Sequence, residues 1–171
     1  MSYISFPENL FIMQGLAPTV GLGAEITSIP ISLKNVQKLW AVCQVNTAST
    51  SAAVAIVPQT DTLVAFGSAG ALPATLHNVP RYINLTSATS DVLTHTTDGV
   101  NYTTAAVDAL SKMIIFEIDP SVIRTTATAA TDEDCFRISF TQVDASDLVA
   151  VIYVIQPRYP SAVANQTYIA D

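Results

Sequence analysis

The run LVAVIYVI, Leu148 to Ile155, sets eight apolar residues in a row and stops at Gln156-Pro157. A membrane-spanning helix needs roughly 20 apolar residues, so this run is far too short to be one. It is also too short for a comfortable helix, and its valines and isoleucines are stiff at χ1, which favours a strand. The run predicts a strand buried on both faces. Such a strand must be covered, either by the rest of this chain or by another chain. Nothing in the sequence points to an active site, so the identity of that cover carries most of the functional reading.

The remaining segments read as further short strands. The first 30 residues are broken by Pro7, Pro18, Pro30, Gly15, Gly21 and Gly23, which predicts an extended arm with one short strand at Leu10–Gln14. In LWAVCQV, Leu39, Ala41, Cys43 and Val45 share one face and Trp40, Val42 and Gln44 the other. AAVAIVPQ (52–59) is a strand ended by Pro58, and TDTLVAF reads as a loop or a short helix capped by Thr60 or Asp61. RYINLTSA (81–88) is a third candidate. Asp98-Gly99, between DVLTHTT and VNYTT, predicts a tight hairpin. KMIIFEID (112–119) places Ile114, Phe116 and Ile118 on one face, and Pro120 ends it. RTTATAATDEDC is a long loop; CFRISF then turns Phe136, Ile138 and Phe140 inward and Arg137, Ser139 and Thr141 outward. About eight short strands with turn signals between them, and no strand–helix alternation, predict an all-β fold. The expected architecture is an antiparallel β-sandwich, jelly-roll-like, with an extended N-terminal arm. Its domains are the arm (1–30), the sandwich (31–160) and a polar tail (161–171).

Composition narrows the partners. Hydrophobic residues make up 50% of the 171 and charged residues only 12%, about half the usual quarter. A chain of this length buries enough surface to need no metal or disulfide staple. Two explanations of the low charge stand: a surface that lies against other subunits, or one covered by Thr, Ser, Ala and Asn. The net charge is -7, and the seven basic residues, Lys34, Lys38, Arg81, Lys112, Arg124, Arg137 and Arg158, are scattered. No basic stripe exists to neutralise phosphates, so neither direct nucleic-acid binding nor an anionic membrane surface is expected. MSYISFPENL lacks the charged start and apolar run of a signal peptide. Cys43 and Cys135, in apolar strands and without an export signal, read as two buried free thiols, with a cross-strand disulfide as the alternative.

Candidate chemistry is sparse. His77 and His95 have no nucleophile-elbow pattern near them, and His95 reads as a strand residue facing water. GSAG (67–70) is a flexible loop rather than a phosphate cradle. Asp132-Glu133-Asp134, with Asp144 and Asp147, is the best metal candidate because calcium gathers carboxylate oxygens on loops. It lacks EF-hand spacing, and acidic runs are usually solvated loops. Trp40 lies within a strand, and Tyr82, Tyr102 and Tyr159 are the aromatics that a sugar-binding sandwich would expose. Asn84, Asn101 and Asn165 begin glycosylation sequons that a Thr-rich chain produces by chance. No catalytic residue, cofactor or metal site is expected, and the chain is not expected to be an enzyme.

SLKNVQKLWAVCQVN, AAVAIVPQT, HNVPRYINLTSATSDVLTHTTDGVNYTT, KMIIFEIDPSVI and YVIQPRYP together resemble a family of small virion proteins of tailed bacteriophages. The resemblance covers roughly residues 30 to 160 and is one of strand order and short phrases, with no catalytic signature. It implies an auxiliary head protein of the cement or decoration type with a jelly-roll-like fold. Such a protein sits on the outer capsid surface, clamps neighbouring major capsid subunits, forms a dimer or trimer, and assembles in the host cytoplasm. The alternatives are a small single-jelly-roll major capsid protein, against which the lack of a basic arm counts, and a carbohydrate-binding β-sandwich of a virion or cell surface.

Overall fold

The computed structural model describes residues 10–21, 23–47, 53–61, 70–71, 79–105, 111–121, 123, 135–141 and 144–158. Among them lie twelve strands: β1 (Phe11–Val20), β2 (Ile26–Thr27), β3 (Ile31–Ser32), β4 (Val36–Asn46), β5 (Ala55–Asp61), β6 (Gly70–Ala71), β7 (Val79–Asn84), β8 (Thr94–Gly99), β9 (Tyr102–Thr103), β10 (Ser111–Ile118), β11 (Cys135–Thr141) and β12 (Leu148–Pro157). Eight span six residues or more, in line with the eight expected; β2, β3, β6 and β9 are two-residue pieces. The first sheet has the order β1-β12-β4-β10-β7-β8. The second has the order β2-β11-β5-β6, with β3 also on β11 and β9 also on β5. All pairings are antiparallel. The chain passes from sheet to sheet at eight of the eleven connections between these strands, which wraps the two into one sandwich.

Period-two alternation builds the core between them. Leu39, Ala41 and Cys43 of β4 are fully buried, as are Ile114, Phe116 and Ile118 of β10, and they meet Phe136, Ile138 and Phe140 of β11. The rings of Phe136 and Tyr153 meet edge to face across the sheets, 6.1 Å apart. Asp119 accepts a hydrogen bond from the Ser121 N–H at 2.8 Å, and with Pro120 behind it opens a single helical turn after β10.

The run LVAVIYVI is β12, the second strand of the first sheet, between β1 and β4. Its inward residues Val149, Val151, Tyr153 and Ile155 are fully buried. Its outward face departs from the expectation of burial on both sides: Ala150 is covered, but Leu148 and Ile152 stay 38% and 37% exposed. The strand is apolar on both faces while only one lies against this domain's core.

Other expectations are corrected in instructive ways. β1 is ten residues long rather than five, and it pairs with β12 of its own chain past Gly15 and Pro18. Register shifts between Gln14 and Leu16 and between Leu16 and Thr19 accommodate both breakers, and a sheet edge tolerates proline and bulges that a central strand rejects. Pro58 does not end β5; it sits opposite Ile138, and on its other side β9 reaches only Ala55 and Ile56 and β6 only Gln59 and Thr60. The missing N–H falls beside that gap. Thr60 and Asp61 are strand residues opposite Phe136 and Cys135, not helix caps, and 62–69 lie outside the described residues. RYINLTSA is strand only through Asn84, with Leu85–Thr89 a turn. Asp98-Gly99 makes no hairpin: β8 runs through both residues, and the chain then crosses at Val100-Asn101 to β9 in the other sheet. A tight hairpin of that type needs positive φ, and among the described glycines only Gly23 has it, at 72°.

Candidate interaction surface

The residues singled out for chemistry are dispersed. His95 is a water-facing strand residue, with Nε2 3.0 Å from Asp98 Oδ1 and its ring 5.2 Å from that of Tyr82. His77, Asp132, Glu133, Asp134, Tyr159 and Asn165 lie outside the described residues. Asp144 and Asp147 close a turn on each other: the Asp144 N–H donates to Asp147 Oδ2 at 3.1 Å, and the Asp147 N–H to the Asp144 carbonyl at 3.0 Å. Among the described residues no group of three or more His, Cys, Asp and Glu is gathered. No described helix is long and apolar enough to cross a membrane.

Cys43 and Cys135 are both buried and unbonded to each other. Desolvation by burial pushes the Cys43 thiol up, away from the reactive thiolate. Asn84 is 6% exposed; its amide donates to the Ser90 carbonyl at 2.7 Å and accepts from the Thr86 N–H at 3.0 Å, which leaves no accessible nitrogen for a glycan. Of the aromatics, Tyr82 packs against His95 with ring centroids 5.2 Å apart, and Tyr102 lies 5.9 Å from the Arg81 guanidinium; both are half-buried.

What the fold does assemble is a contrast between its two outer faces. On the second sheet the outward side chains are linked by polar contacts. Arg137 Nε donates to Gln59 Oε1 at 2.7 Å, Gln59 reaches Glu25 Oε1, and the Ser139 hydroxyl donates to that same carboxylate. Ser139 faces outward as expected, but is buried beneath Glu25. On the first sheet the middle of the outward face is apolar, with Gln14, Gln44, Lys38, Glu117 and His95 around it. One cross-strand row reads Gln14–Ile152–Val42–Ile115–Tyr82–His95 from edge to edge. The next reads Ile12–Val154–Trp40–Glu117. Alternation alone accounts for this, since β4, β10 and β12 carry apolar residues at both parities.

Trp40 anchors the polar border of this face. Its Nε1 donates to Glu117 Oε2 at 3.1 Å, Lys38 pairs with the other Glu117 oxygen, and the Lys38 ammonium lies 5.5 Å from the indole centroid. The fixed indole and its paired charges thus border the aliphatic stripe, an arrangement that resembles the composition of protein interfaces, with aromatic residues inside and charges at the rim. Sequence reading placed Val42, Ile115 and Ile152 on strands but did not join them; the signal was matching parity on three strands that turn out to be neighbours.

The chain is thus an all-β two-sheet sandwich with one apolar outer face. It matches no protein-family model and no curated protein. Among solved structures it is similar to the SPBc2 prophage-derived protein YomS, with a TM-score of 0.43 and 9% identity over 86% of this chain and 92% of that one. It is more distantly similar to infectious bursal disease virus of the Gt strain, with a TM-score of 0.20 and 10% identity over 90% of this chain and 43% of that one. The VP2 subviral particle of the same virus also has a TM-score of 0.20, with 9% identity over 86% of this chain and 40% of that one.

Proposed function

We propose that the chain is a virion structural protein, a capsid cement or decoration protein that clamps neighbouring major capsid subunits on the outer surface of a phage head. The observation that supports this most is the outer face of the first sheet, with Val42, Ile115, Ile152, Val154 and Trp40 pointing away from the core. Each large aliphatic or aromatic side chain covered there contributes roughly 1.5–3 kcal/mol. The phage-like phrases of the sequence give the class of partner. The mechanism is mass action: a protein that binds assembled shell and not free capsid subunits stabilises the shell.

The test uses heads of the phage that encodes the chain, prepared without it. Purified protein is expected to co-sediment with these heads and to raise their thermal disruption temperature. Val42→Asp with Ile152→Asp is expected to abolish both effects while the isolated protein keeps its circular dichroism. Arg137→Ala, on the opposite face, is expected to leave binding intact. Co-sedimentation that ignores the aspartates, or no binding to heads at all, overturns the reading.

A further inference from the structure

We infer that two copies of this chain join through the β1 edge, pairing antiparallel about a two-fold axis at Ile12 to form one continuous sheet. Exposed apolar surface is concentrated on this side. Of the eight large hydrophobic residues exposed among the described residues, Phe11, Ile12 and Val20 lie on β1 and Leu148 and Ile152 on its partner β12. A sixth, Ile29, is held against β1 by its N–H, which donates to the Gly15 carbonyl at 2.8 Å. The opposite edge strand, β8, reads THTTDG and exposes none, although Val92 and Leu93 are exposed in the loop before it.

Charge points to a second copy. Each copy carries -7, so two copies repel unless they meet where charge is absent. Residues 9–24 contain no charged side chain, and β1 lies entirely within them. Edge strands are normally guarded by lysine, proline or a covering loop. Among the described residues, Pro18 and the Gly15–Ile29 bond guard the C-terminal half of β1. Ile12 and Gln14, in the N-terminal half, are exposed, and among the described residues no strand other than β12 lies against β1.

Geometry makes the strand self-complementary. Directly opposed residues of antiparallel strands share a face. An axis at Ile12 sets Ile12 against its own copy and Phe11 against Met13. Ile12 already continues the outer row Trp40–Val154, so pairing extends that row without a break into its mirror: Trp40–Val154–Ile12, then Ile12–Val154–Trp40 of the second copy. This contact does not depend on the capsid reading, and its test needs no capsid.

The full chain is expected to sediment at twice 18.1 kDa. Ile12→Lys, at a position 51% exposed and so harmless to the core, is expected to return it to a monomer with unchanged circular dichroism. Val92→Lys, on the exposed loop before β8, is expected to leave the dimer intact. Opposed Cβ atoms lie about 4.5–5.5 Å apart, so Ile12→Cys is expected to form a disulfide-linked dimer on mild oxidation, and Thr96→Cys on β8 is not. A dimer indifferent to Ile12→Lys overturns the proposal. So does a monomer at all concentrations. In that case the thiol introduced by Ile12→Cys tells what meets the edge instead. Shielded from reagent, it shows the edge covered by the chain's own remaining residues; reactive, it shows the edge open to a different protein.

Discussion

Tyr153 shows how one side chain ties the sandwich together. Its hydroxyl lies 2.6 Å from Ser28 Oγ, and that same oxygen accepts the Ile138 N–H at 2.8 Å, so a serine beyond β2 links β12 of one sheet to β11 of the other. Tyr153→Phe is expected to cost about 1–2 kcal/mol in chemical denaturation, the loss of one buried hydrogen bond with Ser28 left partly satisfied. Gly15 lies over the same ring. A Cβ there would stand 2.5 Å from Tyr153 Cε2, so Gly15→Ala is expected to cost about 1–3 kcal/mol through overpacking. Tyr153→Phe combined with Gly15→Ala is expected to be sub-additive, because both act on one ring. pH acts here too. Desolvation raises the Tyr153 phenol, against the smaller lowering by its Ser28 bond, and desolvation raises the Cys43 thiol. Groups raised on folding bind their protons more tightly in the native state. Their contribution is therefore full below the ordinary values of 9.0 and 10.0 and is lost as pH climbs above them. Denaturation midpoints are expected to hold near neutrality and fall above about pH 9, less steeply in Tyr153→Phe; a flat alkaline limb would contradict the burial of both groups.

At the scale of elements, β7 and β8 are held by Arg81. Its guanidinium donates to the Thr97 carbonyl on β8 and to the Asn101 carbonyl at the crossover, and it covers the Tyr102 ring on β9. Gly99 makes room for it: a Cβ there would stand 2.9 Å from Arg81 Cζ. Gly99→Ala and Arg81→Ala are both expected to speed amide exchange across Thr94–Gly99 while the amides of β4 and β10 keep their protection. Uniform loss across all strands would show that the clamp supports the whole fold. The same place marks where reading the sequence stopped short. Asp98-Gly99 has hairpin chemistry, but Gly99 serves a contact with Arg81, eighteen positions away, and no local pattern reports that. Pro18 and Pro58 look like strand ends because a proline lacks an N–H; whether that matters depends on having no neighbour at that point, a property of the finished sheet. By contrast β4, β10 and β11 were legible, since a two-residue period needs no knowledge of neighbours. The buried Lys112, whose Nζ donates to Thr47 Oγ1 at 2.8 Å, shares the parity of Ile114 and Phe116, but the sequence reading counted it only among the scattered basic residues.

For the whole molecule, strand order decides what each face of the two-faced apolar strand LVAVIYVI meets. A six-stranded sheet with β12 next to its edge covers one face with the second sheet and leaves Leu148 and Ile152 exposed on the other. The sequence left open whether that second face is covered by this chain or by another; strand order places Ile152, Val42 and Ile115 next to one another on it. Association through an uncharged edge between two copies at -7 also fixes how salt acts. Raising ionic strength from about 0.01 M to 0.15 M shortens the screening length from roughly 30 Å to 8 Å. The net repulsion fades while the apolar contact is untouched, so the dimer dissociation constant measured by sedimentation equilibrium is expected to fall several-fold. A contact built instead on opposite charges, such as Lys38 of one copy against Glu117 of the other, would weaken under the same change. The direction of the salt effect therefore separates an apolar edge from an ion-paired face, and it does so with the unaltered protein.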